Sequence, residues 1–320
     1  MKKIPRQLGI HLTEHSVRVI ESANNGQTVT NFGRSNLPRT FTEMRKDSKD
    51  DELAGAIMNA INNTKPKRTH VKEAVITFGD EGVFTKILTM PQMPLNDAKE
   101  AAPHELEPDL PLKAENMYVD LFILHTSKDQ KEMEVMVFAT NKRFVDWILG
   151  AVDKVGLNTR ALETTSISLG RLHKADHNNY VTVDIGSTHA AIAVFDKDLI
   201  HVLNTVALQD KNWDAFLAKD ELNITAEQIK QNFNVMLTNL SDRVAASIKY
   251  YKNKNHQTDS IEKIFLSGSG ARVPHLDTIL AEYFNEIVEI GQPKINSQEQ
   301  AGCDSSYLAA LGASLRNFDE

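Results

Sequence analysis

The chain is short of the features that assign a protein quickly. Its 320 residues contain one cysteine, Cys303, so no internal disulfide can form and the composition suits a reducing compartment. No stretch approaches the roughly 18 apolar residues of a membrane-spanning helix. The opening M-K-K-I-P-R-Q-L-G-I lacks an apolar segment of signal-peptide length, so a cytoplasmic location is expected. Lys and Arg number 36 against 43 Asp and Glu, a net charge of −7 with no basic block, which argues against a nucleic-acid partner. A G-x-x-x-x-G-K-[ST] phosphate loop is missing. So is any Cys/His cluster of zinc spacing: His104, His125, His173 and His275 stand apart as structural or solvated residues.

What is present fits a soluble globular protein of two domains, or one duplicated one: 41% hydrophobic and 25% charged residues. The informative stretch is Y-V-T-V-D-I-G-S-T-H-A-A-I-A-V, from Tyr180 to Val194. It reads as strand, small-residue turn, strand. Gly186 lets backbone approach a ligand, Ser187 and Thr188 add hydroxyls, and turn N–H groups can face an anion. Asp184 at the strand end is placed to meet a metal-bound water. The same pattern also makes an ordinary hairpin. A fainter copy, L-G-I-H-L-T-E-H-S-V-R-V-I from Leu8 to Ile20, aligns with it so that His11 takes the place of Asp184 and Thr13 that of Gly186.

Around these hairpins the chain reads as follows. A third strand runs from Gln27 to Pro38, a solvated charged loop from Thr40 to Asp51, a helix from Asp51 to Asn63, and a buried strand from Glu73 to Phe78. Val83 to Met90 is a strand. A helix follows with Asn96 as N-cap, then strands Met117 to His125 and Glu132 to Thr140, then an amphipathic helix from Asn141 to Gly156. That β-α-β-β-α order makes a compact insert. Thr159 to Glu163 and Ser166 to His173 resume the first domain as strand and helix. After the focal hairpin come a strand at Leu199 to Val206, a helix start at Trp213 to Leu217, a capping box at Thr225 and Gln228, and a long helix over Met236 to Tyr251. Strand Ile261 to Leu266 runs into the glycine turn Gly268-Ser269-Gly270, which can receive a phosphate or a nucleoside edge. A helix from His275 to Phe284 and a closing helix from Ser305 to Arg316 end the reading.

Two ribonuclease-H-like halves, each opening on a phosphate hairpin, resemble the actin/Hsp70/sugar-kinase superfamily. The insert is similar to that of the FtsA/PilM branch. Three segments favour the PilM-like family of type IV pilus assembly proteins: the opening from Leu8, H-E-L-E-P-D-L-P-L-K-A-E-N-M-Y-V-D from His104, and L-S-G-S-G-A-R-V-P-H-L from Leu266. The fold expected is therefore α/β, with duplicated ribonuclease-H-like domains. The first domain spans 1–81 and 157–177, with a closing helix at 304–317 packing back on it. The insert spans 82–156, and the second domain spans 178–303 with a helical subdomain at 209–256.

The resemblance implies ATP or ADP, with Mg²⁺, at Thr13, Asp184, Gly186, Ser187, Thr188, Gly268, Ser269 and Gly270, and at Glu227 and Lys230 of an A-E-x-x-K segment. The first hairpin departs from the pattern. Neutral His11 cannot replace a hard oxygen ligand of Mg²⁺, protonated His11 would pair with phosphate but displace the metal, and Thr13 crowds the phosphate approach. Hydrolysis is therefore expected to be impaired, leaving a degenerate ATPase at most. The resemblance also implies a partner, the cytoplasmic tail of a PilN-like inner-membrane protein, with other pilus assembly proteins and self-association. The tail would lie between the first domain and the insert, near Val83, Thr85, Ile87, Tyr118, Asp120 and Phe122, and would hold the chain at the inner membrane. Two readings compete. An FtsA-like division protein is expected to carry an amphipathic membrane tail, whereas the chain ends L-R-N-F-D-E. An actin-fold kinase needs a cleft base and an intact first hairpin.

Overall fold

The structure is a computed structural model and describes residues 6–23, 28–47, 49–110, 112–127, 129, 131–173, 176–208, 210–219, 222–254, 260–293 and 302–318. Gln27, the first residue of the expected third strand, lies outside them. The first sheet is built from β1 (Leu8–Leu12), β2 (Ser16–Ser22), β3 (Val29–Asn36), β4 (Glu73–Phe78) and, after an insert, β8 (Asn158–Thr164), in the order β3-β2-β1-β4-β8. β1 and β2 form an antiparallel hairpin, and β1 runs parallel to β4. Every residue of β1 is buried, because helices cover both faces of the sheet.

The second sheet repeats the plan. β9 (Asn179–Ile185), β10 (His189–Asp196), β11 (Leu199–Ala207), β12 (Lys263–Ser267) and β13 (Ile287–Ile290) lie in the order β11-β10-β9-β12-β13, with β9, β12 and β13 parallel. Matched strand order and matched hairpins confirm the duplication read from the two hairpin sequences.

Helices α1 (Phe41–Asp47) and α2 (Asp50–Asn62) pack on one face of the first sheet. The solvated loop expected over Thr40 to Asp51 is thus corrected: Phe41 and Met44, one helical turn apart, bury themselves in the core and fold the charged segment into α1. The insert holds β5 (Phe84–Pro91), α3 (Leu95–Leu106), β6 (Met117–Thr126) and β7 (Glu132–Asn141), its sheet ordered β5-β7-β6. Asn96 is not the N-cap of α3; Pro94 holds that place, and Asn96 lies within the first turn. Helix α4 (Lys142–Lys154), expected as the insert's last element, belongs to the first core instead. Its Phe144, Trp147, Ile148 and Ala151 join Leu53 and Ile57 of α2 there.

On the opposite face lie α5 (Thr165–His173) and the closing α9 (Leu308–Ser314). They cross closely enough that a Cβ on Gly312 would stand 2.0 Å from the Ser168 carbonyl oxygen. Glu163, at the end of β8, ties the layer together. It accepts hydrogen bonds from both terminal nitrogens of Arg171 (2.9 Å each), from Arg316 (2.7 Å) and from Ser168 (2.6 Å). The second half carries α6 (Lys211–Leu217), the 29-residue α7 (Ala226–Lys254) and α8 (Leu276–Ala281). Thr225 and Gln228 form the expected reciprocal cap, with Thr225 N donating to Gln228 Oε1 (3.0 Å) and Gln228 N to Thr225 Oγ1 (3.3 Å). The helix begun there continues, through non-helical angles at Phe233, into the long helix expected further on. Among the described residues, no helix is long and apolar enough to cross a membrane.

Candidate functional site

The two hairpins face each other across a cleft of about 270 Å³. Its lining includes Thr13 from the first hairpin, Asp184, Gly186, Ser187 and Thr188 from the second, and Gly268 and Ser269 from the glycine turn. Seven of the residues picked out in the sequence therefore meet in one place. Gly270 lies behind the turn against Ile185. Glu227 and Lys230 are not among the lining residues: α7 leaves Glu227 exposed, and Lys230 Nζ pairs with Glu282 (2.5 Å).

The second hairpin is held open to a ligand. Gly186 N donates to His189 O (2.9 Å), and Gly186 O accepts from Trp213 Nε1 (3.1 Å), so a fully buried indole of α6 fixes the turn. Ser187 is buried, and its Oγ has no hydrogen-bond partner among the described residues. Gly268, at φ +85°, adopts a left-handed conformation that suits glycine, and a Cβ there would meet Ile185 O at 2.6 Å. That close approach lets Ser267 Oγ donate to Asp184 Oδ1 (3.0 Å). Burial, and to a lesser degree the charge of Asp80, push the Asp184 carboxyl up to about 6, against the opposing pull of Ser267 and Arg18.

The first hairpin is closed upon itself. Thr13 N and Oγ1 both donate to Ser16 O (2.9 Å each), and Ser16 N donates to Thr13 Oγ1 (3.1 Å), so the Thr13 hydroxyl serves its own turn. His15 Nε2 lies 2.6 Å from Asp214 Oδ1 of α6 and spans the cleft. His11 is buried. Desolvation first, then the neighbouring Arg18, hold its imidazole down to about 3 despite a hydrogen bond to the Ser306 backbone. It is neutral at any physiological pH, which removes the protonated, phosphate-pairing form considered from sequence.

Several cleft residues escaped the sequence reading. Asp80 follows β4 and is buried. Its Oδ2 accepts from Thr165 Oγ1 (2.6 Å), Ser166 Oγ (3.0 Å) and Ser166 N (3.1 Å), while desolvation raises its pKa. Glu81, at the cleft mouth, is raised as well, chiefly by desolvation. Arg18, Arg34 and Arg272 also line the cleft. An arginine inside the apolar run V-R-V-I was the available signal for Arg18.

Magnesium does not fit these residues in the expected way. No group of three His, Cys, Asp or Glu suited to a metal occurs among the described residues. The position expected to supply a carboxylate is a neutral imidazole beside Arg18, and Asp80 Oδ2 is taken by three donors, which leaves Asp80 Oδ1 as the one oxygen of that carboxylate without a hydrogen bond.

The suggested partner residues are dispersed. Val83 packs against the first core. Ile87 and Phe122 pack with Met136 and Phe138 against Phe195 and Ile200 of the second half. This face of the insert's sheet thus turns toward β10 and β11. Thr85 is half-buried and Asp120 pairs with Lys99 (2.6 Å). Tyr118 is 44% exposed, with its hydroxyl 3.1 Å from Asp146 Oδ1 of α4.

Two sheets of one strand order, with a cleft between their hairpins and a glycine turn at its edge, define an actin-like α/β protein. The chain is similar over 98% of its length, and 98% of the other, to a chain of the PilM–PilN type IV pilus biogenesis complex, with 18% identity and a TM-score of 0.76. It is also similar to the ethanolamine utilization protein EutJ from Carboxydothermus hydrogenoformans (11% identity, TM-score 0.58, 98% and 90% of the two chains). A third similar structure is MreB5 of Spiroplasma citri bound to AMPPNP (9% identity, TM-score 0.50, 97% and 95%). No family model matches the sequence, and no curated protein does.

Proposed function

We propose that this chain is a cytoplasmic scaffold of a type IV pilus assembly machine, held at the inner membrane by the N-terminal tail of a PilN-like protein. The likeness to the PilM–PilN complex over nearly the whole of both chains carries this reading. The edge strand β6, with Tyr118 and Ile123 exposed along it, is the surface best suited to take an extended tail. The cleft binds a nucleotide and turns it over poorly, because Thr13 closes its own hairpin and His11 offers no carboxylate. Assembly with partners is then the working activity. Calorimetric titration with a synthetic PilN-like tail peptide tests the proposal. The wild type should bind, and Tyr118→Ala should bind more weakly; a wild type that ignores the peptide sinks it. Brisk ATP hydrolysis by the wild type would separately sink the statement about turnover.

A further inference from the structure

Three strands carry a row of side chains on one face of the first sheet. His11 of β1 sits opposite Arg18 of β2, which sits opposite Arg34 of β3. Arg18 is 2% exposed. Its Nη2 donates to Ser269 Oγ (3.2 Å), while Nε and Nη1 are buried with no hydrogen-bond partner among the described residues. Arg34 Nε is in the same condition. Arg272 approaches from the glycine turn and pairs with Asp304 (3.2 Å). Asp304 Oδ1 also accepts from Ser306 N (2.9 Å) and Ser306 Oγ (2.5 Å). The Tyr307 ring centroid lies 5.9 Å from the Arg18 guanidinium. The Asp304 carboxylate, which also attracts Arg18, is thus largely spent on Arg272 and Ser306.

A buried cation with idle N–H groups is costly, since it forfeits hydration without a replacement partner. Mutual repulsion adds to that cost. Burial, then Arg34, and to a smaller extent Arg272, lower the pKa of Arg18 to about 10. An anion seated against Arg18 and Arg34 would satisfy both the charge and the open donors, and the guanidinium fork matches phosphate oxygens. Asp184 shares the cleft wall and attracts Arg18, but its carboxyl is held by Ser267 and its pull on Arg18 is the smallest of the influences on it.

We infer that the Arg18–Arg34–Arg272 cluster holds a phosphate-bearing anion without a divalent cation, the arginines supplying the charge that a metal would otherwise bring. This deepens the nucleotide reading of the same cleft and rests on it for the identity of the natural ligand. Nucleotide phosphates and free pyrophosphate share the required chemistry.

The test is calorimetric titration of the whole chain with ATP and with pyrophosphate, each in EDTA and in excess Mg²⁺. It is run on the wild type, Arg34→Gln and Arg18→Gln, with thermal melts of the ligand-free proteins. ATP should bind in EDTA at least as well as with Mg²⁺, and Arg34→Gln should weaken binding about tenfold or more. Arg18→Gln should also lose binding while melting no lower than wild type, because it removes an uncompensated buried charge; a structural arginine would lower the melt. ATP binding that requires Mg²⁺ overturns the inference and leaves the nucleotide reading intact. Binding indifferent to Arg34→Gln overturns it too. Pyrophosphate binding in EDTA without ATP binding upholds the anion site and removes the nucleotide. Failure of both ligands in EDTA overturns the anion site.

Discussion

Replacing Asp184 by asparagine should stabilise the ligand-free protein, and only above a definite pH. Asp184 ends β9 inside the cleft, and its carboxyl is pushed from an ordinary 3.8 to about 6, chiefly by burial. A raised carboxyl binds its proton more tightly in the folded chain than in the unfolded one. Its contribution is therefore favourable below the unfolded pKa and is lost as pH rises through the folded one, between about 4 and about 6. At about 1.36 kcal/mol per pH unit the full loss is about 3 kcal/mol, and contact with water through the cleft mouth reduces it toward about 1.5 kcal/mol. Asparagine keeps an oxygen to accept from Ser267 Oγ, so the turn keeps its geometry. Urea unfolding of wild type and Asp184→Asn, in EDTA without nucleotide, measures the difference. It should be near zero at pH about 3, below the unfolded pKa, and reach about 1.5–3 kcal/mol in favour of the variant at pH about 7.5. A difference independent of pH, or a variant less stable at the upper pH, would refute the reasoning. A carboxylate kept in place against such a cost is what a ligand-binding position looks like.

Other perturbations follow from the same geometry. Glu163→Gln leaves Arg171 and Arg316 without their shared counter-charge and should cost about 3 kcal/mol or more by urea denaturation. Gly312→Ala drives a methyl group into the Ser168 carbonyl at 2.0 Å and should cost at least about 2 kcal/mol, read as a lowered melting temperature. The Cys303 thiol is buried and pushed up to about 12, so alkylation at neutral pH should be slow in the folded protein and fast in denaturant. The double variant His11→Asp, Thr13→Gly restores a carboxylate and opens the first hairpin. It should show faster Mg²⁺-dependent ATP turnover than wild type, and a variant no faster than wild type would show that these two residues are not what limits hydrolysis.

The strands and the duplication were legible because both sheets are covered on two faces, which writes their inner strands as near-continuous apolar runs with a small turn between them. Tertiary affiliation was not. The apolar face of α4 declares that something covers it, but only the folded chain shows α2 there, and not the insert. In α1, five charged or hydroxyl residues surround Phe41 and Met44, so composition hid a short helix anchored by two side chains. Similarity to an A-E-x-x-K pattern placed Glu227 and Lys230 at the nucleoside, yet Lys230 pairs with Glu282 and neither residue lines the cleft.

The cleft itself was half legible, for a reason that bears on how the protein works. Residues that approach a ligand through backbone leave a mark in sequence, because glycine and small hydroxyl residues cluster at turns; Gly186, Ser187, Thr188 and Gly268 were visible that way. Residues that approach through long side chains come from strand interiors and leave only one charge in an apolar run. Arg18 and Arg34 are of that kind, and they meet Arg272 only through cross-strand register and the return of the chain at the glycine turn. His11 belongs to the same row. With a metal-binding aspartate in its place, a carboxylate would face Arg18 directly, and the two would neutralise each other. A neutral imidazole leaves the arginine free to attract an anion. The absence of a carboxylate at His11 and the unpartnered Nε and Nη1 of Arg18 are therefore one feature of the cleft, and, on the inference above, a chain changed at His11 alone should bind pyrophosphate differently from wild type.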